Sequence, residues 1–102
     1  MPAPRLPDDL LAVIAAMAGR DELQRLFEDL LTPGELDDVS ERWAIVKRLA
    51  AGESQRSIRD AVGASVSTVS RGSRQLKYGA GGFALAFQRL ADAAPEGDEG
   101  GS

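Results

Sequence analysis

The sequence predicts an all-α protein of six helices, two of which form a helix-turn-helix. Apolar residues recur at helical spacing in six segments, whereas the alternation that is typical of strands is nearly absent. The chain has 102 residues, which suits one compact domain, and we expect residues 1–94 to form it. Residues 95–102 are acidic and glycine-rich, which predicts a disordered tail without a site.

Residues typical of helix N-termini and C-termini predict the first three helices. Pro7 can begin the first helix, which Gly19 ends, and Asp21 can cap the second. In the segment 32–35, TPGE, a threonine cap is followed by proline and, three residues after the cap, by glutamate. This capping box begins the third helix, and Gly52 closes it. The residues that we expect to face the core are Leu36, Val39, Trp43, Val46 and Leu49, with Ile45 and Leu49 as the alternative pair.

The helix-turn-helix is predicted at about residues 54–77. Ser54 caps the fourth helix, Gly63 supplies the positive φ that a tight turn needs, and Ser65 caps the fifth helix. The residues that we expect to pack inward are Ile58, Val62 and Val69. A glycine-rich segment, residues 79–82, predicts a hinge or loop before the sixth helix.

The composition excludes several kinds of site. The chain has no cysteine and no histidine, so it lacks disulfides, thiolate metal sites and the commonest general base. No pair of carboxylates is placed for catalysis, and we expect neither an enzyme nor a metal site. The longest apolar run, residues 10–18, is too short to span a bilayer and has no basic start. We therefore expect a cytoplasmic protein that does not bind membranes.

Charge is segregated along the chain. The net charge is −4 overall, but residues 1–41 carry −7, residues 42–78 carry +6 and residues 79–102 carry −3. The basic block coincides with the helix-turn-helix, and phosphate contacts respond to local charge rather than to the total. An ordinary fluctuation of surface charge is the alternative. The coincidence favours a surface that binds double-stranded DNA.

The second helix of the motif carries small hydroxylated residues. In helix-turn-helix proteins this helix enters the major groove, where hydroxyls approach base edges and bond phosphates. Arg56 is the best candidate for a bidentate contact with guanine; a phosphate contact or a solvated arginine is the alternative. The alternative for the whole motif is an ordinary helical hairpin with a serine-rich second helix. The predicted DNA-contacting residues are Gln55, Arg56, Arg59, Ser65, Ser67, Thr68, Ser70 and Lys77.

Two segments resemble the bacterial tryptophan repressor family. They are LLTPGELDDVSERWAIVKRLAAGESQR, residues 30–56, and GASVSTVSRGSRQLK, residues 63–77. The continuation YGAGGF and the ERW step also resemble the YerC-like branch. The resemblance implies an intertwined, all-helical homodimer that represses transcription from a palindromic operator. A small indole ligand would act as corepressor by setting the spacing of the two recognition helices.

The resemblance also implies a ligand site. Arg42 matches the arginine that meets the ligand carboxylate, and Arg71 matches the arginine that stacks over the indole ring. Without the resemblance, the sequence favours an ion pair between Arg42 and Asp38, four residues apart. It likewise favours a contact of Arg71 with a phosphate. The further matching positions are Leu31 and Thr32, which the partner subunit contributes, and Val46 and Gly72, which form the pocket wall.

Two positions depart from the family pattern. Gln75 replaces the serine that bonds the ligand amino group, and Asp29 stands at a pocket position where leucine is usual. Gln75 could accept a hydrogen bond from an ammonium with which Asp29 pairs. Alternatively, its bulk fills the pocket or selects an indole acid without an amino group.

We therefore expect a ligand-responsive repressor whose corepressor is L-tryptophan or a related indole compound. One alternative is a regulator of the same fold that needs no ligand. Another is a helical interaction module whose basic face binds an acidic protein. A change of operator affinity on adding tryptophan would distinguish the ligand-responsive repressor from the first alternative. Stronger competition by a specific operator than by random DNA would distinguish it from the second.

Overall fold

The computed structural model describes residues 5–93, which form six α-helices and no strand. The all-α prediction is confirmed, whereas the predicted tail at 95–102 lies outside the described residues. The chain divides into two compact units, Met1–Asp38 and Val39–Ser102, and the single domain stays a prediction. The helices are α1 (Asp8–Ala16), α2 (Arg20–Leu30), α3 (Pro33–Ala50), α4 (Gln55–Val62), α5 (Val66–Tyr78) and α6 (Gly82–Ala93).

The start of α2 differs from the prediction. Gly19, with a φ of 103°, precedes the helix, and its carbonyl accepts the first helical hydrogen bond from Leu23 N–H at 3.2 Å. Asp21 already lies inside the helix, where its carboxylate accepts a hydrogen bond from Arg25 at 3.1 Å. The prediction of Asp21 as the cap is therefore wrong. The first helix also ends at Ala16, earlier than predicted.

The start of α3 has the predicted capping box. Glu35 N–H donates to Thr32 Oγ1 at 3.1 Å, and Thr32 N–H donates to Glu35 Oε1 at 2.9 Å. The N–H groups in the first turn of a helix have no partners within the helix. The two bonds of the capping box satisfy the N–H of Glu35 in that turn and the N–H of the cap residue, Thr32. The prediction for this helix start is confirmed.

The end of α3 has the predicted glycine. Gly52 has a φ of 89°; its N–H donates to the Leu49 carbonyl at 3.0 Å, and Glu53 N–H donates to the Arg48 carbonyl at 3.1 Å. These are the two bonds of a Schellman motif. The Arg48 guanidinium also donates to both Glu53 carboxylate oxygens, at 3.1 and 2.9 Å. The pair fixes the short connection between α3 and α4.

The core of the second unit is built by α3, α4 and α5. Each helix contributes one fully buried residue to a single cluster, which consists of Ile45, Ile58 and Val69. Burying an aliphatic side chain of this size stabilises a protein by about 1.5–3 kcal/mol. Partly buried residues pack against the cluster, namely Leu49, Val62 and Ala64. The predicted inward positions on α4 and α5 are confirmed.

The predicted core face of α3 is partly wrong. Ile45 and Val46 are its buried residues, whereas Val39 is 50% exposed and Trp43 is only half-buried. The reason is that Ile58 and Val69 pack against the C-terminal half of the helix. The alternative pair, Ile45 and Leu49, is the one that faces this cluster.

The helix-turn-helix begins and turns as predicted. Ser57 N–H donates to Ser54 Oγ at 3.1 Å, which caps α4. Gly63 has left-handed backbone angles, with φ 78° and ψ 19°, and ends that helix. Thr68 N–H then donates to Ser65 Oγ at 3.2 Å, which caps α5. Both predicted caps and the predicted turn are confirmed.

Aromatic stacking brings α6 to α3. The Trp43 ring lies 5.2 Å from the Phe87 ring and 6.4 Å from the Phe83 ring, with interplanar angles of 15° and 26°. Both separations fall in the range of favourable aromatic pairs. The loop before α6 is one residue shorter than predicted, because Gly82 is already the first residue of the helix.

Two glycine substitutions should change stability in opposite directions. Gly63→Ala places a side chain at positive φ and should destabilise the fold by about 1–2 kcal/mol. Gly34→Ala is the matched control: Gly34 lies in the first turn of α3 with only Thr32 Oγ1 near its Cβ position, at 4.0 Å. Helix propensity should there stabilise by about 0.5–1 kcal/mol. Urea unfolding at one fixed protein concentration measures both; a shift of the same sign would contradict the turn geometry.

Candidate DNA-binding surface and ligand cleft

The two helices of the helix-turn-helix, α4 and α5, pack directly against each other. They make the most extensive helix–helix contact among the described residues. Beyond the buried contact of Ile58 and Val69, Ser70 Oγ donates to Gln55 Oε1 at 3.2 Å across the motif. Two predicted DNA-contacting residues therefore bond to each other, so that α4 and α5 present one continuous surface.

Hydroxyl groups cluster at the N-terminal end of α5. Ser65 Oγ lies 2.8 Å from Thr68 Oγ1 and 3.2 Å from Ser67 Oγ. The serines at positions 65, 67 and 70 are exposed, whereas Thr68 is half-buried. The predicted hydroxyl surface is therefore accessible, except that Thr68 lies at its inner edge.

The basic side chains of this surface form no ion pair within the described residues, although Asp60 lies one helical turn after Arg56. Arg56 and Lys77 are exposed and Arg59 is half-buried; none forms an ion pair with another residue of the described range 5–93. Glu53, one of the two acidic residues between 42 and 78, is already paired with Arg48. The positive charge is therefore available to an anionic partner such as a phosphate backbone.

A cleft of about 70 Å³ lies behind α5, against α3 and the start of α6. Its walls are mostly apolar, and two arginines stand at its edge. Because positions 68, 71, 72 and 75 share one face of a helix, α5 turns this face to the cleft. The lining residues are Arg42, Ile45, Val46, Thr68, Arg71, Gly72, Gln75 and Phe83.

Gly72 allows α5 to approach α3 closely. A Cβ at this position would lie 3.1 Å from Ile45 Cγ2 and 3.5 Å from Leu49 Cδ1. The first distance is shorter than ordinary van der Waals contact, so a larger residue would require the Ile45 side chain to move by a few tenths of an ångström. Glycine therefore permits the observed spacing of the two helices.

The cleft brings together most of the predicted ligand-binding residues. Arg42, Val46, Arg71, Gly72 and Gln75 all line it, and neither arginine forms an ion pair within residues 39–93. The two other predicted residues belong to the first unit, where Thr32 forms the capping box and Leu31 is the C-cap of α2. The ligand role of all seven stays a prediction.

Sequence reasoning missed three residues of the cleft wall. Ile45 was expected only in the core, Thr68 only at the DNA, and Phe83 at neither site. Phe83 lies beyond a glycine-rich loop, so no local spacing relates it to α3. The signal that could have found it is the aromatic pair at positions 83 and 87, one helical turn apart, which needs an aromatic partner such as Trp43.

The described part of the chain has neither a membrane-spanning helix nor a cluster of metal ligands. No helix between residues 5 and 93 is long and apolar enough to cross a bilayer. In the same range no group of three or more acidic side chains is arranged to hold a metal ion.

Known proteins resemble this chain along most of its length. The family model of the Trp repressor protein matches residues 7–91. The uncharacterised protein YerC of Bacillus subtilis is 30% identical over 89 residues, which cover 87% of this chain and 86% of YerC. A Trp operon repressor homolog of Chlamydia trachomatis serovar L2 is 38% identical over 68 residues, 66% of this chain and 72% of the homolog.

A solved structure agrees with the fold. It is the crystal structure of a protein provisionally described as a Trp repressor from Staphylococcus aureus, with a TM-score of 0.75 and 30% identity. The match covers 82% of this chain and 84% of that one. The resemblance in the sequence is thereby confirmed, and the chain belongs to the Trp repressor protein family.

Proposed function

We propose that this protein is a DNA-binding transcriptional regulator of the Trp repressor type, with α5 as its recognition helix. The observation that carries the proposal is a helix-turn-helix whose exposed face combines small hydroxyls with cations that form no ion pair within the described residues. The major groove, about 12 Å wide, admits one α-helix, and the N-terminal residues of that helix reach the base edges. Family membership supports a regulator rather than an enzyme.

The charge distribution supports contact with the duplex through this face alone. The basic block at 42–78 carries a net charge of +6, against −7 for residues 1–41. Arg56 and Arg59 on α4 and Lys77 on α5 would contact phosphates or bases, while Ser67 and Ser70 approach the groove. Acting on DNA, the protein would work in the cytoplasm.

We further propose that the protein is a repressor whose corepressor, L-tryptophan or a related indole compound, binds in the cleft. The cleft has an apolar wall and two cations, which suit a flat ring that bears a carboxylate. One face of α5 lines the cleft and another carries the DNA-contacting hydroxyls. A ligand that prefers the DNA-competent position of α5 would tighten operator binding, and the operator would tighten ligand binding by the same factor.

The size of the cleft favours one alternative, a regulator of the same fold that needs no ligand. An apolar cavity of about 150 Å³ is large enough for benzene, whereas this cleft measures about 70 Å³. An indole ring therefore needs more room than the cleft of the single chain provides. If that room does not open, α5 takes its position for DNA binding without a corepressor.

Exposed apolar surface supports a homodimer. Neither α1, α2 nor α6 contains a buried residue, although each is rich in leucine, valine or phenylalanine. A helix that leaves its apolar stripe in water needs a partner surface, and a second copy supplies one. Two recognition helices would then meet half-sites about 34 Å apart on a palindromic operator. The exposed apolar residues on these helices include Leu11, Val13, Leu30, Leu85 and Leu90.

Removing the stacking arginine should weaken the ligand response. Arg71→Ala should weaken binding of an indole corepressor roughly tenfold, because the guanidinium no longer covers the ring. Calorimetric titration with L-tryptophan measures the loss, and circular dichroism checks that the fold is intact. Arg74→Ala is the matched control, since Arg74 lies on the same helix outside the cleft. Unchanged ligand affinity in Arg71→Ala would show that the cleft is not the ligand site.

Removing the guanine-contacting candidate should relax sequence preference. Arg56→Ala should weaken binding to an operator selected from randomised palindromes by about 1–3 kcal/mol, with a smaller loss on random DNA. Fluorescence anisotropy at several salt concentrations measures both affinities. Arg20→Ala, in the acidic first unit, is the control that should change neither. An equal loss on all sequences, with a salt slope reduced by about one, would identify a phosphate contact instead.

The proposed dimer predicts the mass of the protein in solution. Sedimentation equilibrium should give twice the mass of one chain. Leu85→Asp should shift the equilibrium towards monomers, because Leu85 is 49% exposed in the single chain and its fold tolerates a charge there. A monomeric wild type at micromolar concentration would contradict the assembly.

A further inference from the structure

One acidic side chain joins the end of α3 to the start of α4. The Glu53 carboxylate accepts two hydrogen bonds from the Arg48 guanidinium, at 3.1 and 2.9 Å, and a third from Ser57 Oγ at 2.9 Å. Arg48 lies in the last turn of α3, and Ser57 lies in the first turn of α4. Charge-assisted hydrogen bonds are the strong ones, so a carboxylate bonded to both helices resists a change in the angle between them.

The backbone at the same place is also closed by hydrogen bonds. Glu53 N–H donates to the Arg48 carbonyl at 3.1 Å, and Ser57 N–H donates to Ser54 Oγ at 3.1 Å. Glu53 is therefore bonded to Arg48 through its main chain as well as its side chain. The Glu53 side chain is only 27% exposed, which limits the competition of water for its bonds. We call Arg48, Glu53 and Ser57 together the clamp.

The clamp encloses the first DNA-contacting candidates on α4. Gln55 and Arg56 lie between the bonded positions 53 and 57, so the clamp restrains the backbone that carries them. Gln55 in turn accepts a hydrogen bond from Ser70 of α5 at 3.2 Å. A changed angle of α4 on α3 would therefore displace side chains of both helices of the motif. Binding groups need positions within about 0.5 Å of the productive geometry, so such a change would weaken DNA binding.

The charge of Glu53 separates this role from a purely electrostatic one. Glu53 and Asp60 are the two acidic residues of the basic block at 42–78. A carboxylate in this block repels phosphates, so its removal would tighten DNA binding if charge alone mattered. Asp60 is exposed and forms no ion pair within residues 5–93, so its removal changes mainly the charge. The removal of Glu53 also releases the clamp, which acts in the opposite direction.

We infer that Glu53 is a positioning residue for DNA binding, which holds α4 on α3 through Arg48 and Ser57. The inference rests on the proposed DNA-binding function and adds a residue that serves it without contacting the duplex. The clamp sets the orientation of the helix-turn-helix at its first helix, in addition to the buried core cluster that holds both helices on α3.

Removing the carboxylate tests the sign of the effect. Glu53→Ala should weaken binding to an operator selected from randomised palindromes about five- to tenfold, as expected when a partly exposed ion pair and its hydrogen bonds are lost. The salt dependence should not change, because no phosphate contact is removed. Asp60→Ala is the charge-matched control and should bind at least as tightly as the wild type. Fluorescence anisotropy at several salt concentrations measures the affinities, and circular dichroism at the same temperature checks the fold.

Substitutions of the two partners test the connection. Arg48→Ala should weaken operator binding by a similar factor with an unchanged salt slope, and Glu53→Ala should then cause little further loss in the Arg48→Ala background. Ser57→Ala keeps the ion pair and removes one hydrogen bond, so its loss of affinity should be about two- to threefold. If Glu53→Ala does not fold, Ser57→Ala decides, because wild-type affinity in that variant overturns the clamp.

Other results would also overturn the inference. Glu53→Ala that binds as tightly as the wild type, or more tightly, would leave only an effect of charge. A salt slope reduced by about one in Arg48→Ala would identify Arg48 as a phosphate contact. Additive losses in the double variant would show that the two residues act independently. A wild type that does not prefer the operator over random DNA contradicts the proposed function itself, and the inference falls with it.

Discussion

The contact among Ile45, Ile58 and Val69 holds the helix-turn-helix on α3. Each residue comes from a different helix, and all three are fully buried. The cap and turn residues decide where α4 and α5 begin and end, but this contact decides where they lie. With Val46 it makes up the fully buried core of the described residues. The orientation of the proposed DNA-binding surface therefore depends on very few side chains.

The proposed recognition helix α5 has two faces with different surroundings. Residues 68, 71, 72 and 75 line the cleft, whereas Ser67 and Ser70 are exposed beside the cations of α4. A molecule that binds in the cleft would lie against the contact of Gly72 with Ile45, which helps to orient the exposed face. The coupling between two such sites is commonly about 1–3 kcal/mol, which changes affinity by about 5–150-fold. The close approach of α3 and α5 gives that coupling a physical path.

Most of the helix-turn-helix could be predicted because its signals are local. Ser54, Gly63 and Ser65 act within a few residues of their own positions, and their roles follow from backbone stereochemistry and capping. The core face of α3 was harder, since helical spacing fits two adjacent stripes and only tertiary contacts choose between them. The contribution of Phe83 to the cleft depends on a loop whose path no pattern of residues specifies.

Trp43 is the chain's only tryptophan, and its position gives the molecule an internal optical probe. Its ring stacks on Phe87 and Phe83, and the Lys47 ammonium lies 6.0 Å from its centre. Phe83 is also part of the cleft wall. Any rearrangement of that wall therefore alters the surroundings of a single indole chromophore. Its emission spectrum reports on the position of α6 without a label, and quenching by an added solute measures how far the stack opens.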